Sequence, residues 1–224
     1  MSEDAIRRDL RALADEGLCR RVYGGALPIS PASVSMAART ELGRNRKLAL
    51  ARAATQSIQP REFVFLDSGS TNLALAEVLP EDYELTVATN SVAIAATVLR
   101  RQDQKLILIG GAVDPIIGGC VDGAALQSVA RLNIDRCFLG ACALVPESGL
   151  SVFNSSDATF KRALLESSAH CTTLITTDKF AERAPFRVAP LTALQMLVLE
   201  HDAPAHILSQ LIHSGVTIVQ AEPG

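Results

Sequence analysis

Three times between residues 63 and 111, a short apolar run stops at small, hydroxyl-bearing or amide residues. Phe63-Val64-Phe65-Leu66 runs into Asp67-Ser68-Gly69-Ser70-Thr71, Leu85-Thr86-Val87-Ala88 into Thr89-Asn90-Ser91, and Lys105-Leu106-Ile107-Leu108-Ile109 into Gly110-Gly111. Short apolar runs without polar alternation suit strands buried on both faces, as in a parallel sheet covered by helices. Further runs at 136–139, 171–176, 194–199 and 216–219 continue the series, with helical stretches at 41–58, up to Leu79, up to Arg101 and at 156–169. The alternation predicts an α/β fold with a doubly wound, mainly parallel sheet.

Composition agrees. Of 224 residues, 48% are hydrophobic and 20% charged, enough for a large core and too apolar for disorder. Aromatics are 4% and Trp is absent, so that core is aliphatic. No apolar run reaches membrane-spanning length, and the acidic start Met1-Ser2-Glu3-Asp4 is unlike a secretory signal. Cys19, Cys120, Cys137, Cys142 and Cys171 form no CxxC pair, which suits a reducing cytoplasm and gives neither a disulfide framework nor a zinc site. No metal and no cofactor is expected, since His170, His201, His206 and His213 lack ligand spacing.

The net charge of −3 is unevenly spread. Residues 1–47 hold nine Lys and Arg against six Asp and Glu, so a basic head precedes an acidic body. In the head, Ile6, Leu10 and Leu13 make one stripe of a helix at 3–16, with Ser2 placed to cap it and Gly17 to stop it. A strand at 18–23 ends at Gly24-Gly25. Arg7, Arg8 and Arg11 lie off the apolar stripe, and Arg20 and Arg21 occupy the strand before the glycines. Helix plus basic hairpin is the layout of a recognition helix with a wing, although solvated charge gives the same pattern. The aperiodic Pro- and Ser-containing stretch 27–40 reads as a linker.

The carboxyl ends of parallel strands share one edge, where ligands bind, and helix N-termini there suit phosphate. Asp67, Ser68, Gly69, Ser70, Thr71, Thr89, Asn90, Ser91, Gly110 and Gly111 are therefore the candidate binding residues, though helix capping explains any single such turn. Lys161, at the start of the 156–169 helix, can reach the same edge, to pair with phosphate, to act as a base, or to sit solvated. No P-loop, GxGxxG or nucleophile triad occurs.

Two sets of residues carry a family resemblance. Ser2 to Leu10 and Glu16 to Ala26 resemble the recognition helix and wing of the DeoR family of bacterial transcription regulators. Phe65 to Thr71, Thr89-Asn90-Ser91, Ile109-Gly110-Gly111, Phe138-Leu139-Gly140-Ala141 and Lys179-Phe180 resemble, in order, the markers of its sensor domain. The resemblance implies a partial winged helix-turn-helix at 1–26, a linker at 27–40 and an effector-sensing domain at 41–224, similar in fold to ribose-5-phosphate isomerase and CoA transferases. It implies a cytoplasmic, homo-oligomeric repressor of carbohydrate or nucleoside catabolism, not an enzyme, whose partners are operator DNA and a phosphorylated sugar. Arg7 and Arg8 would then face DNA and Arg20 and Arg21 support the wing, while the candidate binding residues and Lys161 would line the effector pocket. The family's DNA-binding unit begins with two further helices, so a chain starting at Met1 is expected to bind DNA weakly or not at all. Cys142-Ala143 replaces the family's Asp-Gly, Asp157 replaces a Glu, and Thr176 replaces an Asp. The first of these removes a carboxylate base of the kind sugar-phosphate isomerases need. A phosphosugar isomerase or deaminase with a vestigial head is the alternative.

Overall fold

The computed structural model describes residues 3–15, 19–22, 25–28, 36–181 and 183–224. Helix α1 (Glu3–Asp15) is followed by β1 (Cys19–Val22) and β2 (Gly25–Pro28), then α2 (Met36–Glu41) and α3 (Arg44–Thr55). Next come β3 (Phe63–Leu66), α4 (Ser70–Glu77), β4 (Thr86–Thr89), α5 (Val92–Leu99) and β5 (Lys105–Leu108). A small hairpin, β6 (Val113–Asp114) and β7 (Gly119–Cys120), leads to α6 (Gly123–Val129) and β8 (Ile134–Leu139). Strands β9 (Ala143–Val145) and β10 (Gly149–Val152) precede α7 (Ser155–Glu166) and β11 (Ser168–Ile175). A 3-10 turn at Thr177–Phe180 is followed by β12 (Phe186–Ala189), β13 (Met196–Leu199), α8 (Ala205–Ile212) and β14 (Thr217–Gln220).

Seven strands form one sheet in the order β14-β13-β11-β8-β3-β4-β5. Every neighbouring pair is parallel. Side chains alternate between its two faces, and both faces are covered. Val64, Leu66, Val87, Phe138, Leu174 and Val198 pack under α3, α4 and α5, against Leu50, Ala54, Leu75 and Ile94. Phe65, Cys137, Leu139, Ile175 and Leu197 pack on the other face with Val129, Phe160, Leu164 and Leu211. Burial on both sides is why these strands read as unbroken apolar runs. The fold is the doubly wound α/β class that the sequence predicts. Among the described residues, no helix is long and apolar enough to cross a membrane.

Two local readings change. The helix expected at 41–58 is α3, Arg44–Thr55, which starts later because Gly43 adopts φ 61, a left-handed conformation that glycine takes at no steric cost and that separates it from α2. The stretch 27–40 read as linker holds the end of β2 and all but the last residue of α2. Helix α2 is anchored by buried Met36 and by Arg39, which donates to the Ile116 and Ile117 carbonyls at 2.7 and 3.3 Å. A second, antiparallel sheet, β12-β10-β9, was not expected. Its strands are three or four residues long, too short to show a period.

Ser2, Gly17 and Gly24, read as cap, stop and turn, lie outside the described residues, as do residues 29–35 and the side chains of Arg7, Arg20 and Arg21. Within α1, Arg8 and Arg11 are exposed, and Ile6 is 45% exposed.

The strand order decides where a ligand fits. From β3 the chain moves outward through β4 to β5, then returns to the other side of β3 and proceeds through β8, β11 and β13 to β14. The direction reverses between β3 and β8. A crevice opens at such a switch point, outside the carboxyl ends of the strands.

Candidate functional site

The ends of β3 and β8 are tied together at that switch point. Asp67 donates its backbone N–H to the Phe138 carbonyl at 3.1 Å, and the Gly140 N–H donates to Asp67 Oδ2 at 2.8 Å. Asn72, in the first turn of α4, donates from Nδ2 to the carbonyls of Asp67 and Phe138. The crossing is tight. A Cβ at Gly140 would lie 2.7 Å from the Ser68 carbonyl and 3.1 Å from Asp67 Oδ2, so only glycine fits.

A cavity of about 560 Å³ opens above this junction. That is the size range of small-molecule sites. Its floor is a buried charge cluster. Lys161 Nζ is 2.5 Å from Asp67 Oδ2 and 2.9 Å from Asp157 Oδ1, with all three side chains at most 7% exposed. Burial opposes the lysine's charge, but Asp157 and Asp67 prevail and hold its ammonium above the ordinary lysine range. Burial pushes the Asp67 carboxyl up, as does the neighbouring Asp157, while Lys161 pulls it down. One cation between two carboxylates is already neutralised. Lys161 thus lines the cavity with its charge already met by two carboxylates.

The cavity's unsatisfied donors lie elsewhere. The backbone N–H groups of Ser70, Thr71 and Asn72, at the start of α4, have no acceptor among the described residues, and no side chain caps this helix. Ser68, 5% exposed, has a buried Oγ without a hydrogen-bond partner and faces the same cavity. Two lysines on the far wall were not singled out as ligand-binding by sequence. Lys47, in the first turn of α3, is 7% exposed, and its ammonium donates to the Arg39 carbonyl. Lys179 sits half-buried in the 3-10 turn after β11. Neither has an ion-pair partner among the described residues. Burial, reinforced by the positive charge of Lys179, lowers Lys47 to about 8. Burial likewise lowers Lys179, although Asp178 opposes it. Arg46, which also lines the cavity, is held by Glu200 at 2.9 Å and by Asp202.

Of the residues proposed from sequence, Ser68, Gly69, Ser70, Thr71 and Lys161 line the cavity, and Asp67 lies just beneath it. Thr89, Asn90, Ser91, Gly110 and Gly111 do not line it, because β4 and β5 lie on the other side of β3 from the switch point. Asn90 instead braces the β3–α4 loop. It accepts from the Ser68 N–H at 2.9 Å and donates to the Cys120 carbonyl at 3.1 Å. The Thr89 hydroxyl accepts from the Ser91 N–H. The Gly110-Gly111 turn runs against Asp122, which accepts from the Ala112 N–H at 2.8 Å. The signal for Lys47 was present in the sequence. It stands at the head of the apolar stripe Leu50, Ala51, Ala54, where a solvated lysine has no place. Cys142 lines the cavity wall and is not in a disulfide. Among the described residues no His, Cys, Asp and Glu cluster has the makings of a metal site.

A basic helix-and-hairpin head before a doubly wound domain with an anion-suited cavity at its switch point is the plan of a ligand-responsive DNA-binding regulator. The family models make this specific. The DeoR C-terminal sensor domain matches residues 43–201, and the DeoR-like helix-turn-helix domain matches residues 1–32. The chain belongs to the DeoR family. It is 30% identical over 220 residues to the HTH-type transcriptional regulator GlpR of Haloferax volcanii, covering 97% of this chain and 86% of that one. It is 27% identical over 212 residues to the glycerol-3-phosphate regulon repressor of Escherichia coli K12, covering 94% and 84%. Among solved structures, ribose-5-phosphate isomerase A from Neisseria gonorrhoeae aligns at 14% identity with a TM-score of 0.44, over 65% of this chain and about half (55%) of the enzyme.

Proposed function

We propose that the chain is a transcriptional repressor whose operator affinity is set by a phosphorylated sugar or polyol in the cavity between β3 and β8. The observation that carries this is the set of unpartnered donors at the start of α4, namely the Ser68 hydroxyl and the N–H groups of Ser70, Thr71 and Asn72. A helix N-terminus with several unsatisfied N–H groups is suited to a phosphate. The glycerol-3-phosphate regulon repressor among the relatives fits the same class of signal. Arg7, Arg8, Arg20 and Arg21 of the head are assigned to the operator, the helix arginines to bases and phosphates and the hairpin pair to the flanking backbone. A single head reads few base pairs, so the repressor acts as a homo-oligomer on repeated half-sites.

Catalysis is not part of this reading. Aldose–ketose isomerisation needs a positioned base. Asp67 and Asp157 are both held on Lys161, and Lys161 is held protonated by them. The test is operator binding by fluorescence anisotropy with and without triose, pentose, hexose and amino-sugar phosphates. One phosphate ester that shifts operator affinity, with its unphosphorylated parent inert, is the expected result. Arg7→Ala and Arg8→Ala are expected to weaken operator binding by about 1–3 kcal/mol each. Isomerase turnover lost in Lys161→Ala would overturn the non-catalytic assignment.

A further inference from the structure

The cavity spans more than one strand end, and its unsatisfied donors fall into two groups. The first is at α4, after β3. The second lies across β8, at the end of β11, where the 3-10 turn carries Thr177 and Lys179 and the first turn of α3 brings in Lys47. In the strand order, β11 is two places from β3, with β8 between them. Neighbouring strands are about 4.8 Å apart, which separates the two groups by roughly 10 Å.

The second group has its own unsatisfied chemistry. Among the described residues, Lys47, 7% exposed, and Lys179 have no carboxylate within ion-pair distance, and the Lys47 ammonium donates to the Arg39 carbonyl. The buried Thr177 hydroxyl has no hydrogen-bond partner among the described residues, and neither does the buried Arg39 Nε. Arg39 also lines the cavity, with one terminal guanidinium nitrogen, Nη2, donating to two carbonyls. The acids of the wall are largely committed. Glu200 holds Arg46 and accepts from the Thr177 N–H at 2.7 Å, Asp157 holds Lys161, and Asp114 accepts from the N–H groups of Ile116 and Ile117. Among the described residues, the exposed Asp178 offsets both lysines, and Glu200, already engaged with Arg46, adds a smaller pull on Lys47. Holding a buried lysine beside a half-buried one with so little compensation is costly unless an anion joins them.

We propose that the cavity is built for a ligand with an anionic group at each end, one on the N-terminus of α4 and the other on Lys47, Lys179 and the Thr177 hydroxyl. The ligand class is a bisphosphate, or a phosphate ester with a carboxylate at its far end, on a carbon chain long enough to cross β8. The inference rests on the phosphate reading of α4 and adds the second charge. The lowered proton affinity of Lys47 and Lys179 agrees with a deficit of negative charge at that end.

The test needs no knowledge of the natural effector. Linear α,ω-bisphosphonates of increasing chain length serve as rulers, with alkyl monophosphonates of the same lengths and inorganic phosphate as controls. Binding is read by calorimetry on the intact protein. The expected result is an optimum chain length at which the bisphosphonate binds at least tenfold more tightly than its monophosphonate. That advantage disappears in Lys47→Met and in Lys179→Met, whereas Ser68→Ala weakens both probes alike. Methionine keeps the aliphatic bulk of each lysine while removing an unpaired charge, so these variants fold. Equal affinity of mono- and bisphosphonates at every length would overturn the second subsite while leaving the phosphate reading intact. Failure of all phosphonates and of inorganic phosphate to bind would overturn both.

Discussion

The chemistry of the site turns on which cations are already occupied. Lys161 is, by Asp67 and Asp157. Removing it would strand two buried carboxylates, so Lys161→Ala is expected to cost about 3–5 kcal/mol in chemical denaturation, whether or not effector is present. Lys47 is the opposite case. Its proton affinity is lowered to about 8 in the folded chain, against 10.5 for an ordinary lysine. Between those two pH values the unfolded chain binds more protons, so stability rises with pH across the window. The penalty of a buried unpaired ammonium is fully present below pH 8 and relieved above it, by an amount on the order of 3 kcal/mol. Denaturation from pH 7 to 10 should show that rise in the wild type and lack it in Lys47→Met; parallel profiles would refute the assignment. This distinction was only partly legible in the sequence. Lys161, near the start of a predicted helix, drew attention because it could reach the strand-end edge, but its two carboxylate partners lie 94 and 4 residues away and only the fold brings the first to it.

At the scale of elements, the five inner strands of the parallel sheet were legible because burial on both faces leaves an unbroken apolar run, as in Phe63-Val64-Phe65-Leu66, whereas the edge strands β5 and β14 are apolar but largely exposed. The strands of the β12-β10-β9 sheet were not legible, being three or four residues long and interrupted by polar positions such as Ser151 and Arg187. Strand order was equally hidden, and it decides the site. The endings of β3, β4 and β5 look alike in sequence, yet only that of β3 borders the switch point. Asn90 illustrates the difference. An amide at a strand end reads as a ligand donor, while in the fold both ends of its side chain are taken up by the Ser68 N–H and the Cys120 carbonyl. Asn90→Ala would leave those two buried groups unpaired, at a cost of about 2–4 kcal/mol in thermal or urea unfolding. It should also weaken phosphate binding indirectly, by loosening the β3–α4 loop. A variant of wild-type stability would remove the brace from the account.

For the whole molecule, the proposed control is linkage between cavity and operator. An effector alters DNA affinity only by binding one arrangement of the protein better than another. Helix α2 is placed to take part, since it is the first described element after the head and contributes Arg39 to the cavity wall. All of this depends on the cavity accepting a phosphorylated ligand. The most direct measurement is thermal unfolding of the protein against sugar and polyol phosphates, each paired with its unphosphorylated parent. A ligand at 100 times its Kd adds about 2.7 kcal/mol to the native state, a rise of several degrees in Tm for a chain of this size. The account predicts such a rise for at least one phosphate ester, none for its parent, and a reduced rise in Ser68→Ala. Equal stabilisation by ester and parent, or no stabilisation by any ester, would contradict it.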